Sequence, residues 1–275
     1  MTDPTSTPAA TQKYVHEHGL SGLLGATPHP PPEDDGLSSS VDGSLAEALG
    51  PQWRDLVRLH HLIRTRRVTT VLEFGCGWST AVMAHALQMN REDFGERVLD
   101  LRRNNAFELH LVDDMPDFVQ VALSRCPPEL LELIVPSVSP VNMTTFLGRI
   151  CTEYQELPNI APDFIYLDAP SQQAPTNSVD GITTDHPDRL PMSCDVLKIE
   201  HFLLPGTLLL VDGRTANARF LRANLQRDWL YRRDEAADVS TFELREPPLG
   251  RFNRRQIEFC LGKDWLDTIG QAERD

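Results

Sequence analysis

Short apolar runs alternate with segments whose apolar residues recur at helical spacing over most of this chain, and few architectures accept that order. The strand-like runs are TTVLEF (69–74), FELHLV (107–112), LELIV (131–135), DFIYLD (163–168) and GTLLLVD (206–212). Helical patterns fill the intervals at Ser79–Met89, Pro116–Ser124, Met143–Tyr154, Cys194–Leu203 and Ala216–Asp228. Strand followed by helix, repeated, predicts a mostly parallel sheet with helices on both faces. The end breaks the pattern. VSTFELRE (239–246) and QIEFCLG (256–262) are two strand-like runs joined by a turn-rich stretch, which predicts a closing antiparallel hairpin.

Upstream, Leu45, Leu49, Trp53, Leu56, Leu59, Leu62 and Ile63 recur at helical spacing from Ser44 onward, so residues 44–275 are expected to form one α/β domain. Residues 1–43 are rich in Pro, Ser and Thr and carry the acidic run Glu33, Asp34, Asp35. Such a mixture buries too little apolar surface to order itself, which predicts a flexible arm. Within it, KYVHEHGLSGLL (13–24) has enough apolar residues for a short helix, and Tyr14, His16 and His18 would reach a ligand if that helix docked.

A formal net charge of −14 repels phosphate backbones, which argues against nucleic acid as a partner. The five cysteines are odd in number and widely spaced, as in a reduced, cytoplasmic protein. No apolar run reaches the roughly 20 residues of a membrane-spanning helix, and the N-terminus lacks the basic start and apolar stretch of a signal peptide.

The segment VLEFGCGWST (71–80) holds the clearest functional signal. In an open parallel sheet the ligand sits beyond the carboxyl ends of the strands, where Gly75 and Gly77 fall. Glycines let a ligand approach the main chain, and a helix opening near Ser79 offers free amide donors. A dinucleotide fingerprint would need a third glycine at position 80, which is Thr80, and an acid about 20 residues later, where the sequence is polar and unlike a strand end. The acid that is present, Glu73, precedes the glycines. There it repels a pyrophosphate and favours a cation, unless it merely caps the turn.

An acid before G-x-G and a hydroxyl-capped helix resembles the first motif of S-adenosylmethionine-dependent methyltransferases of the Rossmann-like class. The resemblance covers roughly residues 44–262 and implies a seven-stranded, mostly parallel sheet closed by an antiparallel strand. It assigns Glu73, Gly75, Gly77 and Ser79 to cofactor binding. Asp113, ending a strand in ELHLVDD, matches the family's ribose-binding acid, although it could equally be a helix cap, with Asp114 as competitor. Asp168, in DFIYLDAP, matches the acid near the methyl group or the amino-acid end of the cofactor, and is otherwise a turn former. The interval from Gly77 to Asp113 is long for one helix and a short loop, which suggests an insertion around residues 88–106.

The implied reaction is methyl transfer to a small-molecule acceptor, most simply at oxygen, with Asp168, His186 and Asp212 as candidate catalytic groups. His186 lies in a long polar loop (169–193) of the kind that covers active sites. Metal-assisted relatives place an Asp-Asn pair after the fifth strand; here Asp212 is followed by Gly213, so a divalent metal is not favoured, with Asn217 or Asp185 as the only substitutes in view. Arg214 would pair with an anionic substrate group or with Asp212. Two alternatives stay open: an NAD- or nucleotide-sugar-dependent enzyme on a similar fold, and a non-catalytic cofactor-binding relative. Self-association is equally open.

Overall fold

Thr70–Phe74 (β1) is buried at every position, as a strand covered on both faces must be, and the sheet extends outward from it. In the computed structural model, which describes residues 3–25 and 51–272, β2 (Glu108–Asp113) and β3 (Ile134–Val138) lie on one side of β1. On the other side come β6 (Phe164–Leu167), β7 (Leu208–Asp212), β9 (Val239–Leu244) and, at the edge, β8 (Trp229–Asp234). Every pairing in this seven-stranded sheet is parallel except the two made by β9. This is the expected doubly wound, Rossmann-like sheet with one reversed strand.

Alternation along the strands builds two cores. Val71, Leu109, Leu111, Phe164 and Tyr166 face a layer that includes α3 (Trp53–Thr65), α4 (Trp78–Val98), α5 (Pro116–Ser124) and α6 (Pro128–Leu131). Leu72, Phe74, Ile165, Leu167 and Leu209 face α7 (Asp195–Ile199), α8 (Thr215–Asn224) and a separate hairpin of β4 (Val141–Phe146) and β5 (Arg149–Tyr154). No described helix is long and apolar enough to cross a membrane.

Four expectations need correction. Residues 143–154 are not a helix but most of the β4–β5 hairpin. Its threonines and Ile150 favour strand, and Leu147 and Gly148, at φ of 49° and 75°, make the two-residue turn whose twist matches a hairpin. QIEFCLG is not a strand but the end of α9 (Gly250–Cys260), followed by α10 (Lys263–Ala272). Asn253, Gln256, Ile257 and Cys260 are buried at helical spacing, and the true partner of β9 is β8, immediately upstream. The suspected insertion after residue 88 is largely α4 itself, which runs on to Val98.

The fourth concerns the arm. Pro8–Glu17 (α1) and Leu20–Leu24 (α2) bury Tyr14, Val15, Leu20 and Leu24 in the same core as α3 and α4. A short apolar stripe, capped by Thr7 and set off by Gly19 at φ 66°, offsets the polar composition around it. Residues 26–43 of the arm, and Leu45 and Leu49 beyond it, lie outside the described residues. Deleting residues 1–25 should therefore lower the melting temperature by roughly 5 °C or more, as expected for a net loss of a few kcal/mol in a chain of this size. An unchanged melting temperature in differential scanning calorimetry would show that these helices contribute nothing to the fold.

Candidate active site

The chain runs from β1 through β2 to β3 on one side and returns to β6 on the other, so the crevice opens over the carboxyl ends of β1 and β6. Gly75 turns there at φ 92°. A Cβ on it would stand 3.0 Å from the Ala169 Cβ and 3.3 Å from the Asp168 carbonyl oxygen, so both the dihedral and the close approach require glycine. Gly77 differs. Its backbone is extended, with φ at 171°, and a Cβ there would meet nothing within 4 Å. What Gly77 supplies is open space over the first turn of α4.

Glu73 is fully buried, and both of its oxygens are engaged from within the protein. Ser79 Oγ donates to Oε1 at 2.6 Å, Thr80 Oγ1 donates to Oε2 at 2.9 Å, and Thr80 Oγ1 accepts from the Gly77 amide at 3.2 Å. Burial raises the Glu73 pKa to about 8 against the lowering effect of the two hydroxyls. Of the two readings open in the sequence, this geometry favours the turn brace: Glu73, Ser79 and Thr80 tie β1 to the start of α4. The single feature that could have revealed it in advance is the run Ser79-Thr80 one helical turn inside the motif.

Asp113 ends β2 beside the glycine turn and is nearly buried. Its Oδ1 accepts from the Met115 amide at 2.8 Å, bracing the entry to α5. Burial raises its pKa, opposed by hydrogen bonds from Met115, Cys76 and Asp114, and the neighbouring Asp114 is raised by burial and by Asp113. Across the crevice, Asp168 follows β6. Arg214 Nε donates to its Oδ1 at 3.2 Å, Nη1 donates to the Pro170 carbonyl at 2.6 Å, and Nη2 donates to the Asp168 carbonyl. Desolvation by the surrounding protein pushes the Asp168 pKa up and Arg214 opposes it, but 55 % of the side chain stays open to water, so solvent screens that push. Asp212, ending β7, accepts from Tyr166 Oη at 2.9 Å. Burial, with the charges of Asp55 and Asp168, raises its pKa to about 6.

His186 stands apart. It is exposed, its Nδ1 accepts from the Asp188 amide at 3.1 Å, and no hydrogen bond among the described residues joins it to Asp168 or Asp212. Its loop is anchored on β4, with Asn177 Oδ1 accepting from the Met143 amide at 2.6 Å, and tied to itself by Thr184 Oγ1 donating to the Gln172 carbonyl at 2.8 Å. Asn217 is not available as a ligand. Its amide pairs in both directions with the Ser193 backbone, at 2.9 and 3.0 Å. Asp185 is exposed on the loop, and no group of three or more His, Cys, Asp or Glu among the described residues is gathered as a metal site. Trp78 carries the Arg125 guanidinium 4.2 Å above its ring. Sequence reasoning missed Tyr166, which bonds to Asp212, and Asp55, whose charge acts on it, because both are brought near only by the fold.

A hollow of about 650 Å³ lies away from the crevice, at the β8 edge, but its arginines are already engaged: Arg227 with Glu246 at 2.6 Å, Arg245 with Thr268, and Arg222 over Tyr231. The crevice is therefore the better candidate. Its chemistry is acidic, with Asp113, Asp114, Asp168 and Asp212 around it and Arg214 as the cation paired within it. Such a donor set suits a cationic ligand bearing hydroxyls better than a diphosphate.

No family model matches the chain, and no curated protein matches it. Among solved structures, it is similar to the O-methyltransferase TomG from Streptomyces achromogenes in complex with SAM, at 15% identity over 89% of this chain and 90% of that one, with a TM-score of 0.38. Similar too are the SAH-bound methyltransferase PaMTH1 from Podospora anserina (14% identity, 71% and 80% covered, TM-score 0.42) and an O-methyltransferase from Bacillus cereus in complex with SAH (12%, 88% and 92%, TM-score 0.35).

The buried Glu73 makes the free protein less stable as pH rises. The unfolded chain loses this proton near 4.5 and the folded chain near 8, so between those values the unfolded state binds fewer protons and stability declines. The upper bound is about 5 kcal/mol, from about 1.4 kcal/mol per pH unit across that window. Urea unfolding of wild type and Glu73→Gln from pH 5 to pH 8 isolates this group, since glutamine cannot titrate. The stability of wild type relative to the variant should fall as pH rises; a difference independent of pH would mean that Glu73 is ionised throughout.

Proposed function

We propose that this chain is an enzyme that transfers a methyl group from S-adenosylmethionine to a small-molecule acceptor, at oxygen. The observation that carries the reading is the acid-lined crevice over a glycine turn: Gly75 and Gly77 open the main chain at the switch point, and the carboxylates around it outnumber the arginines, of which Arg214 is paired with Asp168 and Arg125 sits on Trp78. Asp113 would accept the ribose hydroxyls, and the Gly77 region with the first amides of α4 would receive the amino-acid end. When bound, the cofactor supplies an electrophilic methyl on a sulfonium, whose positive charge the surrounding carboxylates favour.

The chain's own residues divide the remaining work. Asp212 is the base: burial and neighbouring acids bring its pKa to about 6, close to neutral working pH, so it is ionised there and can take the acceptor's proton. Tyr166 fixes its orientation. Asp168 and Arg214 form a rigid pair that positions the acceptor, and the 169–193 loop, pinned on the β4–β5 hairpin, limits water. Glu73 acts through the turn it braces. The acidic balance disfavours nucleic acid as the acceptor, and five free cysteines suit a reducing, cytoplasmic setting.

Calorimetry tests the cofactor: S-adenosylhomocysteine should bind, and NAD should not. The reverse result would make the protein a dinucleotide enzyme. Transfer of labelled methyl to a panel of phenols, catechols and carboxylic acids then tests the reaction. Asp212→Asn should lower turnover by about 10² while S-adenosylhomocysteine affinity changes less than about tenfold. In wild type, kcat/KM should fall as pH drops through about 6, where Asp212 gains its proton. Full activity in the variant would move the base to another residue.

A further inference from the structure

Four histidines and a tyrosine join the N-terminal helices to the body of the protein, and the reaction proposed above uses none of them. Tyr14 on α1 makes a 2.8 Å hydrogen bond between its hydroxyl and His60 Nδ1 on α3; His60 Nε2 in turn lies 3.1 Å from His85 Nδ1 on α4. The His18 ring packs on Tyr14 at 4.1 Å and stands 5.0 Å from His60, and His61 meets Tyr14 edge-on at 5.8 Å. His60 is completely buried.

A neutral chain of rings satisfies both hydrogen bonds, and the complete burial of His60 makes a charge on it costly. If the tyrosine donates to Nδ1 of His60, then His60 carries its one proton on Nε2 and donates it to His85, which accepts on Nδ1. The reversed direction works equally, with each ring still neutral. The surroundings do not welcome a charge. Arg64 adds positive potential at His18, His60 and His85; Glu17, Asp3 and Glu92 offer partial relief at His18, His61 and His85 respectively, and none of these acids relieves His60. Burial is the first cause lowering the pKa of all four histidines, so the docked arrangement binds fewer protons than free helices would.

We infer that α1 and α2 form an acid-released element, held on α3 and α4 while the Tyr14–His60–His85 chain is neutral and let go when these histidines take up protons. The sign follows from linkage. A histidine whose docked pKa lies below its free value of about 6.5 contributes its full stability above that pH and loses it as pH falls. Release would reach the crevice, because the segment before α1 is tied to α3 by Arg54 Nε donating to the Thr5 carbonyl at 3.1 Å, and Asp55, next along α3, acts electrostatically on Asp168 and Asp212. The inference does not depend on methyl transfer.

Hydrogen exchange of the full chain, corrected for the intrinsic effect of pH, reads the device directly. Between pH 7 and pH 5 the amides of residues 11–24 should lose at least about tenfold in protection while those of β1 and β6 keep theirs. His18→Phe retains the ring packed on Tyr14 and removes one titrating group at a partly exposed position, so it should move the loss of protection to lower pH. The inference is overturned if residues 11–24 stay protected at pH 5, if they lose protection only together with β1 and β6, or if His18→Phe leaves the transition where it was.

Discussion

The close approach of β1 and β6 at Gly75 is the constraint on which the rest depends. With 3.0 Å between the place of a Cβ and the Ala169 side chain, the two strand ends can meet only over a residue without one. That meeting brings Asp168 within reach of the glycine turn, and the parallel register of β6 with β7 then sets Asp212 beside it. The Gly75 amide donates to the Val112 carbonyl at 2.9 Å, which fixes the end of β2 and so places Asp113 on the opposite wall. Carboxylates from three strand ends, those of β2, β6 and β7, thus converge because one glycine lets the backbone close.

Convergent acids repel one another, and the fold answers in two ways. Glu73 is removed from the crevice into a dry site where two hydroxyls receive it and its proton is retained to about pH 8. Asp168 stays wet and takes Arg214 as its partner. Asp113 takes hydrogen bonds from Met115, Cys76 and Asp114 and Asp212 takes one from Tyr166, yet burial pushes both toward the protonated form. A bound cation would relieve both, which is why the crevice reads as a receptor for positive charge.

Much of this was legible in the sequence. Continuous apolar runs such as TVLEF and FIYL marked the central strands, and the acids Asp113, Asp168 and Asp212 were recognisable as strand ends because each closes such a run. Legibility failed where a local pattern was ambiguous in period. Residues 143–154 carry apolar residues at spacings compatible with either element, and the positive φ at Leu147 and Gly148 decides for a hairpin. The end of α9 is rich in β-favouring Ile and Phe, yet it buries one helical stripe. The role of Glu73 was undecidable for a different reason. Its position pointed to the ligand, and only the hydroxyls of Ser79 and Thr80 arriving from α4 occupy both of its oxygens. Packing of α1 and α2 on a cluster of histidines was likewise beyond composition, since it rests on pairs such as Tyr14 and His60 far apart in the chain.

On this reading the acid-lined glycine turn seats the cofactor. The most direct measurement is an amide-resolved NMR titration of the uniformly ¹⁵N-labelled, deuterated protein with S-adenosylhomocysteine. The account predicts saturable shifts concentrated at Gly75, Cys76, Gly77 and Asp114, with the β8 edge around Trp229 and Tyr231 unmoved. Saturable binding that perturbs the β8 edge and leaves the glycine turn unchanged would contradict it.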